Sequence, residues 1–150
     1  YMAGDAAVMA EDGYVRILGR IDDVINVAGH RLGTKEIESA ALTAEEVAEA
    51  AVVSVQDEIK GTIPDLYVSL KPGFDPSEDL ARKVSGAVSD VVGKIARPAH
   101  VYIVDDMPKT RSGKIMRRIL ASISNYNDVG DVTTLANPQI VEQIRKQVQD

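Results

Sequence analysis

Met107-Pro108-Lys109-Thr110-Arg111-Ser112-Gly113-Lys114-Ile115 gathers the residue types best suited to chemistry on an anionic substrate. Its ending, Ser-Gly-Lys, invites comparison with a P-loop, whose Gly-x-x-x-x-Gly-Lys-Ser/Thr pattern turns backbone N–H groups toward phosphate. Pro108 stands where the first Gly belongs, and Ile115 where the Ser or Thr belongs. The P-loop pattern therefore fails at two positions. What remains is a glycine-hinged basic loop able to project one lysine into a neighbouring site. The same residues also suit a solvated basic turn ahead of a helix.

Lys109, Arg111, Lys114, Arg117 and Arg118 put five cations into ten residues with no acid among them. The whole chain has 17 basic and 23 acidic residues, a net charge of −6, so the other 140 residues stand at −11. One concentrated positive site on an acidic body suits an anionic ligand met at a particular place. A nucleic-acid binder is more usually basic over a whole face, and only Tyr102 and Tyr126 lie near the cluster as stacking residues.

Other candidates are weaker alone. Asp5 and Arg20 flank an expected hairpin and can face one space, where a carboxylate would bind a ribose diol and an arginine its neighbouring oxygens. They equally suit a surface ion pair. Ala28-Gly29-His30-Arg31 follows an apolar run, and Gly29 lets backbone approach a ligand or simply makes a turn. His30 and His100 lack metal-ligand spacing, and Ser112 has no visible His and acid partners.

The elements that must position these residues follow from periodicity and turn chemistry. Residues 6–9 and 14–18 flank Glu11-Asp12-Gly13 as a hairpin, and 19–23 reads as a linker. Strands are expected at 24–27, 50–55, 66–70 and 101–104. Thr34 should cap a helix over 35–42, and Thr43-Ala44-Glu45-Glu46 a second short helical turn. Leu80, Val84, Val88, Val91, Val92 and Ile95 mark one amphipathic helix over 77–96. Further helices are expected at 115–123 and 138–148, the last with Asn137 as its cap and Pro138 in its first turn. Residues 125–136 read as irregular. The fold class is mixed α/β, a small sheet flanked by helices.

Composition agrees: 45% hydrophobic and 27% charged residues over 150 positions describe one globular domain, able to bury roughly 70% of its unfolded surface. The absence of cysteine excludes disulfides, thiolate metal sites and thiol nucleophiles. The longest run free of charge and histidine is ten residues, 132–141, against the ~20 of a membrane span. No basic-then-apolar leader and no initiator Met precede Tyr1, which reads as a cut through a longer protein.

Order raises these signals above their individual weight. Tyr-x-x-Gly-Asp at 1–5, Gly-Arg-Ile-Asp-Asp-Val-Ile-Asn-Val-Ala-Gly-His-Arg at 19–31 and Pro-Lys-Thr-Arg-Ser-Gly-Lys-Ile at 108–115 together resemble the adenylate-forming enzymes. The likeness is nearest to acetyl- and propionyl-CoA synthetases and extends to Gly130-Asp131-Val132-Thr133-Thr134-Leu135. Arg97-Pro98-Ala99-His100-Val101 and Val27-Ala28-Gly29 look most like the propionyl branch.

The resemblance implies a short-chain acyl-CoA synthetase, in which ATP adenylates a small carboxylic acid and CoA then displaces AMP, with Mg2+ accompanying the nucleotide. It implies that 1–21 end a large N-terminal AMP-binding domain, 22–124 form a mobile lid and 125–150 an extension with a terminal helix. Asp22 would be the hinge, Asp5 and Arg20 would bind the ribose, and Arg31 the phosphate. Ala28 and Gly29 would line the pantetheine passage, and Lys114 would be the adenylation lysine. A backbone-carbonyl metal site would fall on Leu42, Ala44 and Val47, although relatives carry His where Ala44 stands. An arginine that contacts CoA phosphate in relatives aligns with Ser89, leaving Lys83, Lys94, Arg97 or the large N-terminal domain as substitutes. The likeness also implies acylation of Lys114 by a lysine acetyltransferase, reversal by a sirtuin-type deacylase, and a cytoplasmic setting without nucleic-acid or membrane partners. Two other readings stand beside it: adenylation with a carrier-protein thiol or other acceptor, and a non-catalytic nucleotide-binding or regulatory module.

Overall fold

The computed structural model describes the backbone of 5–9 and 15–20, and then residues 24–27, 29–59 and 61–149 in full. β1 (Asp5–Met9) and β2 (Val15–Arg20) pair antiparallel as a two-stranded sheet. Strand β2 runs through Gly19 and Arg20, where a linker was expected, because both continue the ladder opposite Ala6 and Asp5.

The second sheet is built on β5 (Val47–Asp57) and β6 (Gly61–Leu70), a long antiparallel pair. The other edge of β6 is shared. β3 (Val24–Val27) meets it at Gly61, and β7 (His100–Val104) runs parallel to it from Asp65 to Ser69. β4 (His30–Gly33) pairs with β3 and completes the order β4-β3-β6-β5. The turn expected at Ala28–Arg31 is thus only its first half, since His30 folds back opposite Val27.

Pro64 sits inside β6 without breaking it. Its carbonyl accepts the Ala99 N–H at 2.8 Å, so its nitrogen faces that same edge, in the gap between β3 and β7. The ladder to β5 loses no donor, which lets the strand begin at Gly61 rather than at Leu66.

Continuous apolar runs in β5 and β6 reflect burial on both faces. Ala50, Val52, Leu66 and Val68 meet α1 (Thr34–Ala41) and α2 (Glu78–Val91) through Ile37, Ala40, Leu80, Val84 and Val88. Ala51, Val53 and Tyr67 meet α3 (Arg117–Ser124) and α4 (Gln139–Gln149) through Ile119, Leu120, Ile123, Ile140 and Ile144. The fold is a three-layer mixed α/β sandwich.

Several helix limits differ from the sequence expectation for local reasons. Gly33, in extended conformation, is the N-cap of α1, and Thr34 is already helical and buried. The Thr43 hydroxyl donates to the Ala40 carbonyl at 2.6 Å, satisfying the end of α1 instead of starting a new turn. Ser77, expected as the first residue of the helix, caps α2 instead by accepting the Leu80 N–H. Gly93 at φ 128° stops the helix short of Ala96, leaving Val91 and Ile95 exposed and Lys94–Ala96 as a single 3-10 turn. Helix α3 starts at Arg117 because Ile115 pairs with Lys109 instead. No described helix is long and apolar enough to cross a membrane.

Candidate functional site

Residues 108–116 fold as a small hairpin. The Gly113 N–H donates to the Thr110 carbonyl at 2.9 Å, the Thr110 N–H to the Lys114 carbonyl at 2.9 Å, and the Met116 N–H to the Pro108 carbonyl at 2.8 Å. Gly113 has φ 90°, the left-handed position that closes a three-residue loop and that glycine enters without steric cost. The Lys114 N–H also donates to Thr110 Oγ1 at 3.1 Å. These four N–H groups are used within the loop itself.

The five clustered cations separate into two kinds. Lys109 Nζ lies 2.9 Å from Glu49 on β5 and 3.3 Å from Asp106. Its hydrogen bond to Glu49 holds its pKa above the ordinary lysine range. Arg117 forks onto buried Glu38 at 2.6 and 2.8 Å, and Arg118 donates to the Val129 carbonyl at 3.0 Å. Arg111 and Lys114 are exposed and make no ion pair with any described residue. Three of the cations serve the fold, and the loop presents the other two to solvent.

The remaining candidates lie elsewhere. Asp5 and Arg20 are register partners at the open end of the β1–β2 pair, opposite one another as their flanking positions suggested. Asp22 and Ala28 lie outside the described residues. Gly29, at φ 87°, turns β3 into β4, and a Cβ built there would meet no described residue other than its chain neighbours within 4 Å. Arg31 is exposed on β4.

Gly29 and Lys114 are rooted at opposite ends of the large sheet. The β3–β4 pair joins β6 at Gly61, whereas Glu49, which holds Lys109, faces Ser69 eight residues further along. At the rise of an extended strand that is roughly 26 Å.

Leu42 and Ala44 fall on the turn between α1 and β5, and Val47 opens β5. The Ala44 carbonyl already accepts the Val47 N–H at 3.1 Å. A carbonyl keeps a second lone pair, so the turn fits a cation bound by dipoles and water, with Glu45 exposed on the same turn and Glu46 already paired with Lys83. No group of three or more His, Cys, Asp or Glu suited to a metal occurs among the described residues. On α2, Ser89 is half-buried. Of the basic residues near it, Lys83 is held by both carboxylate oxygens of Glu46 at 2.9 Å, which lowers the Glu46 pKa. Arg97 donates to Ser85, while exposed Lys94 pairs with no described acid.

The AMP-binding enzyme C-terminal domain family matches residues 36–114, from the start of α1 to Lys114 itself. The chain belongs to that family. Acetyl-coenzyme A synthetase of Pyrobaculum aerophilum is 49% identical over 97% of this chain and 22% of its own length. That of Pasteurella multocida is 52% identical over 98% of this chain and 23% of its own. The chain therefore spans under a quarter of these curated relatives, and the likeness continues past the family's range. Among solved structures, an ATP-bound RpMatB-BxBclM chimera superimposes with a TM-score of 0.72 at 35% identity, over 86% of this chain and 25% of that one. The anthranilate CoA ligase AuaEII with anthranoyl-AMP gives 0.69 at 32% identity, over 83% and 24%. The mixed α/β fold is that of this C-terminal domain.

Sequence reasoning missed the supports of the AMP-binding C-terminal domain's loop. Glu38, Glu49 and Asp106 carried no local motif. Asn137 did carry one, Asn before Pro at a helix start, and it pointed to the wrong partner: its side chain does not cap α4 but bonds to residues 106–109.

Proposed function

We propose that this chain is the C-terminal part of an AMP-forming short-chain acyl-CoA synthetase acting on acetate or propionate. In this reading a carboxylic acid attacks the α-phosphate of ATP, pyrophosphate leaves, and the thiol of CoA then displaces AMP from the acyl-adenylate. The N-terminal AMP-binding domain supplies most of the site, and Mg2+ arrives with the nucleotide. Residues 1–21 end that domain, 22–124 form the lid, and 125–150 form the extension. The carbonyls of Leu42, Ala44 and Val47 could hold a further, weakly bound cation.

The observation that carries the reading is Lys114: an exposed ammonium on a glycine-closed hairpin, beside cations already engaged by acids or carbonyls. Charge builds around the α-phosphate as the carboxylate attacks, and a lysine aimed there stabilises that arrangement more than the separated reactants. Asp5 and Arg20 serve the ribose and Arg31 the phosphate. The open space at Gly29, beside Ala28, admits the thin pantetheine arm. Its separation from the Lys114 hairpin along the sheet supports a lid that turns about Asp22, offering one end for adenylation and the other for thioester formation. Lys94 is the cation best placed to replace the missing CoA-phosphate arginine at Ser89. The exposure of Lys114 also suits control by Nε-acylation, which removes its charge, and reversal by a sirtuin-type deacylase in the cytoplasm.

The test is Lys114→Ala in the full-length protein, with the two half-reactions assayed separately. Adenylation, read as pyrophosphate exchange, should fall ~10²–10³-fold. Thioester formation from supplied acyl-adenylate should persist. Equal loss in both half-reactions would sink the assignment.

A further inference from the structure

We propose that Asn137 is the positioning residue of the Lys114 hairpin, and that the C-terminal segment exists in part to hold that hairpin in register. The inference rests on Lys114 being the adenylation lysine.

An asparagine amide offers one accepting oxygen and two N–H donors, and here both ends address a single stretch of backbone. Oδ1 accepts the Lys109 N–H at 3.0 Å. Nδ2 donates to the Met107 carbonyl at 2.7 Å and to Asp106 Oδ2 at 3.2 Å. The orientation of the amide is fixed by chemistry, since a backbone N–H requires the oxygen and a carbonyl requires the nitrogen. Asn137 therefore bridges Pro108, the residue that cannot donate, and grips the chain on both sides of it.

The neighbouring residues extend the grip. The Ala136 N–H donates to the Lys109 carbonyl at 2.9 Å, and Leu135 bridges Thr110 as a short third strand beside the hairpin. Asp106 closes the ring by pairing with Lys109. A two-stranded hairpin of this size is marginal in water unless something else packs on it. Buried Leu135, Ile140, Val141 and Ile144 fix the segment to the core on either side of Asn137. The path from core to lysine thus runs from α4 through Asn137 and the hairpin base to Lys114. Its first part, α4 and Asn137, lies beyond residues 36–114, the range matched by the family.

A residue that only stabilises the fold would weaken both half-reactions alike, because the same lid serves both. A positioning residue for Lys114 acts on adenylation alone. In the full-length enzyme, Asn137→Ala should lower pyrophosphate exchange ~10–100-fold, the scale of a misplaced reacting group. Thioester formation from supplied acyl-adenylate should stay within about twofold. In a Lys114→Ala background, Asn137→Ala should cost adenylation nothing further, since the two act through one group. Where Asn137→Ala is poorly soluble, Asn137→Asp reads the same split, because it keeps an oxygen for the Lys109 N–H but sets a carboxylate against Asp106 and the Met107 carbonyl in place of the two donated bonds. Parallel loss in both half-reactions, an unchanged adenylation rate, or additive loss with Lys114→Ala overturns the positioning role. If Lys114→Ala alone leaves adenylation intact, the underlying assignment of Lys114 has failed, and the inference falls with it.

Discussion

Glu38 joins three elements through one carboxylate. It sits on α1, receives the Arg117 fork from the start of α3, and accepts the Val52 N–H of β5 at 2.9 Å. Its side chain is 9% exposed and that of Arg117 43%. Truncating it leaves a buried N–H without a partner and an arginine that can regain water, so the loss should fall below that of a fully buried pair. Glu38→Ala is expected to lower stability by about 2–3 kcal/mol, read from the urea midpoint at constant m. Glu38→Gln, which keeps an acceptor for Val52, should lose less. A change within the ~0.5 kcal/mol typical of surface substitutions would show that Glu38 joins nothing of consequence.

At the scale of an element, the Lys114 hairpin depends on one backbone conformation. Gly113 lies at φ 90°, and a Cβ built there would touch no described residue other than its chain neighbours within 4 Å. Substitution is therefore a matter of backbone strain alone, about 1–2 kcal/mol for an L-residue in the left-handed region. Only Ile115 and Met116, at the base of the hairpin, pack against a hydrophobic cluster, so the exposed tip around Gly113 can relieve that strain by opening while the sandwich stays intact. Gly113→Ala should leave the thermal midpoint nearly unchanged and slow adenylation roughly tenfold. A large fall in the midpoint with adenylation preserved would mean that the loop is a structural cap. The contrast with Gly29 is instructive: the same sign of φ there shapes a sheet connection facing open space, rooted far from the lysine.

For the whole molecule, the second face of the sheet keeps only part of its core, the α3 side, without the C-terminal segment. Leu135, Ile140, Val141 and Ile144 are 1–5% exposed and cover Tyr67, Val104, Met107 and the inner face of α3. Each such side chain contributes about 1.5–3 kcal/mol when buried. Four of them amount to roughly 6–12 kcal/mol, comparable with the entire stability of an ordinary domain. A chain ending at Ser124 should therefore lose cooperative unfolding and bind apolar dyes, as measured by calorimetry and dye fluorescence. A soluble product with a sharp transition would show that the extension is dispensable to the fold.

What the sequence determined by itself was local and chemical. Alternation and apolar runs located most strands, and the Leu80-Val84-Val88 stripe located α2, because short-range sterics and hydrogen bonds decide these. The ordered motifs at 1–5, 19–31 and 108–115 pointed to the family that the comparisons then matched. Strand β4 was missed because its pairing comes from a fold-back after Gly29, not from a pattern of its own. Pro64 became part of β6 only because its nitrogen fell in a gap between two neighbouring strands. The five-cation cluster read as one site, yet Glu38, Glu49 and the Val129 carbonyl, distant in sequence, take three of its members. Asn137 shows the limit most plainly. Its place before Pro138 fits an N-cap, but an amide goes to the partners that most need it, and tertiary packing put the donor-poor stretch around Pro108 within its reach.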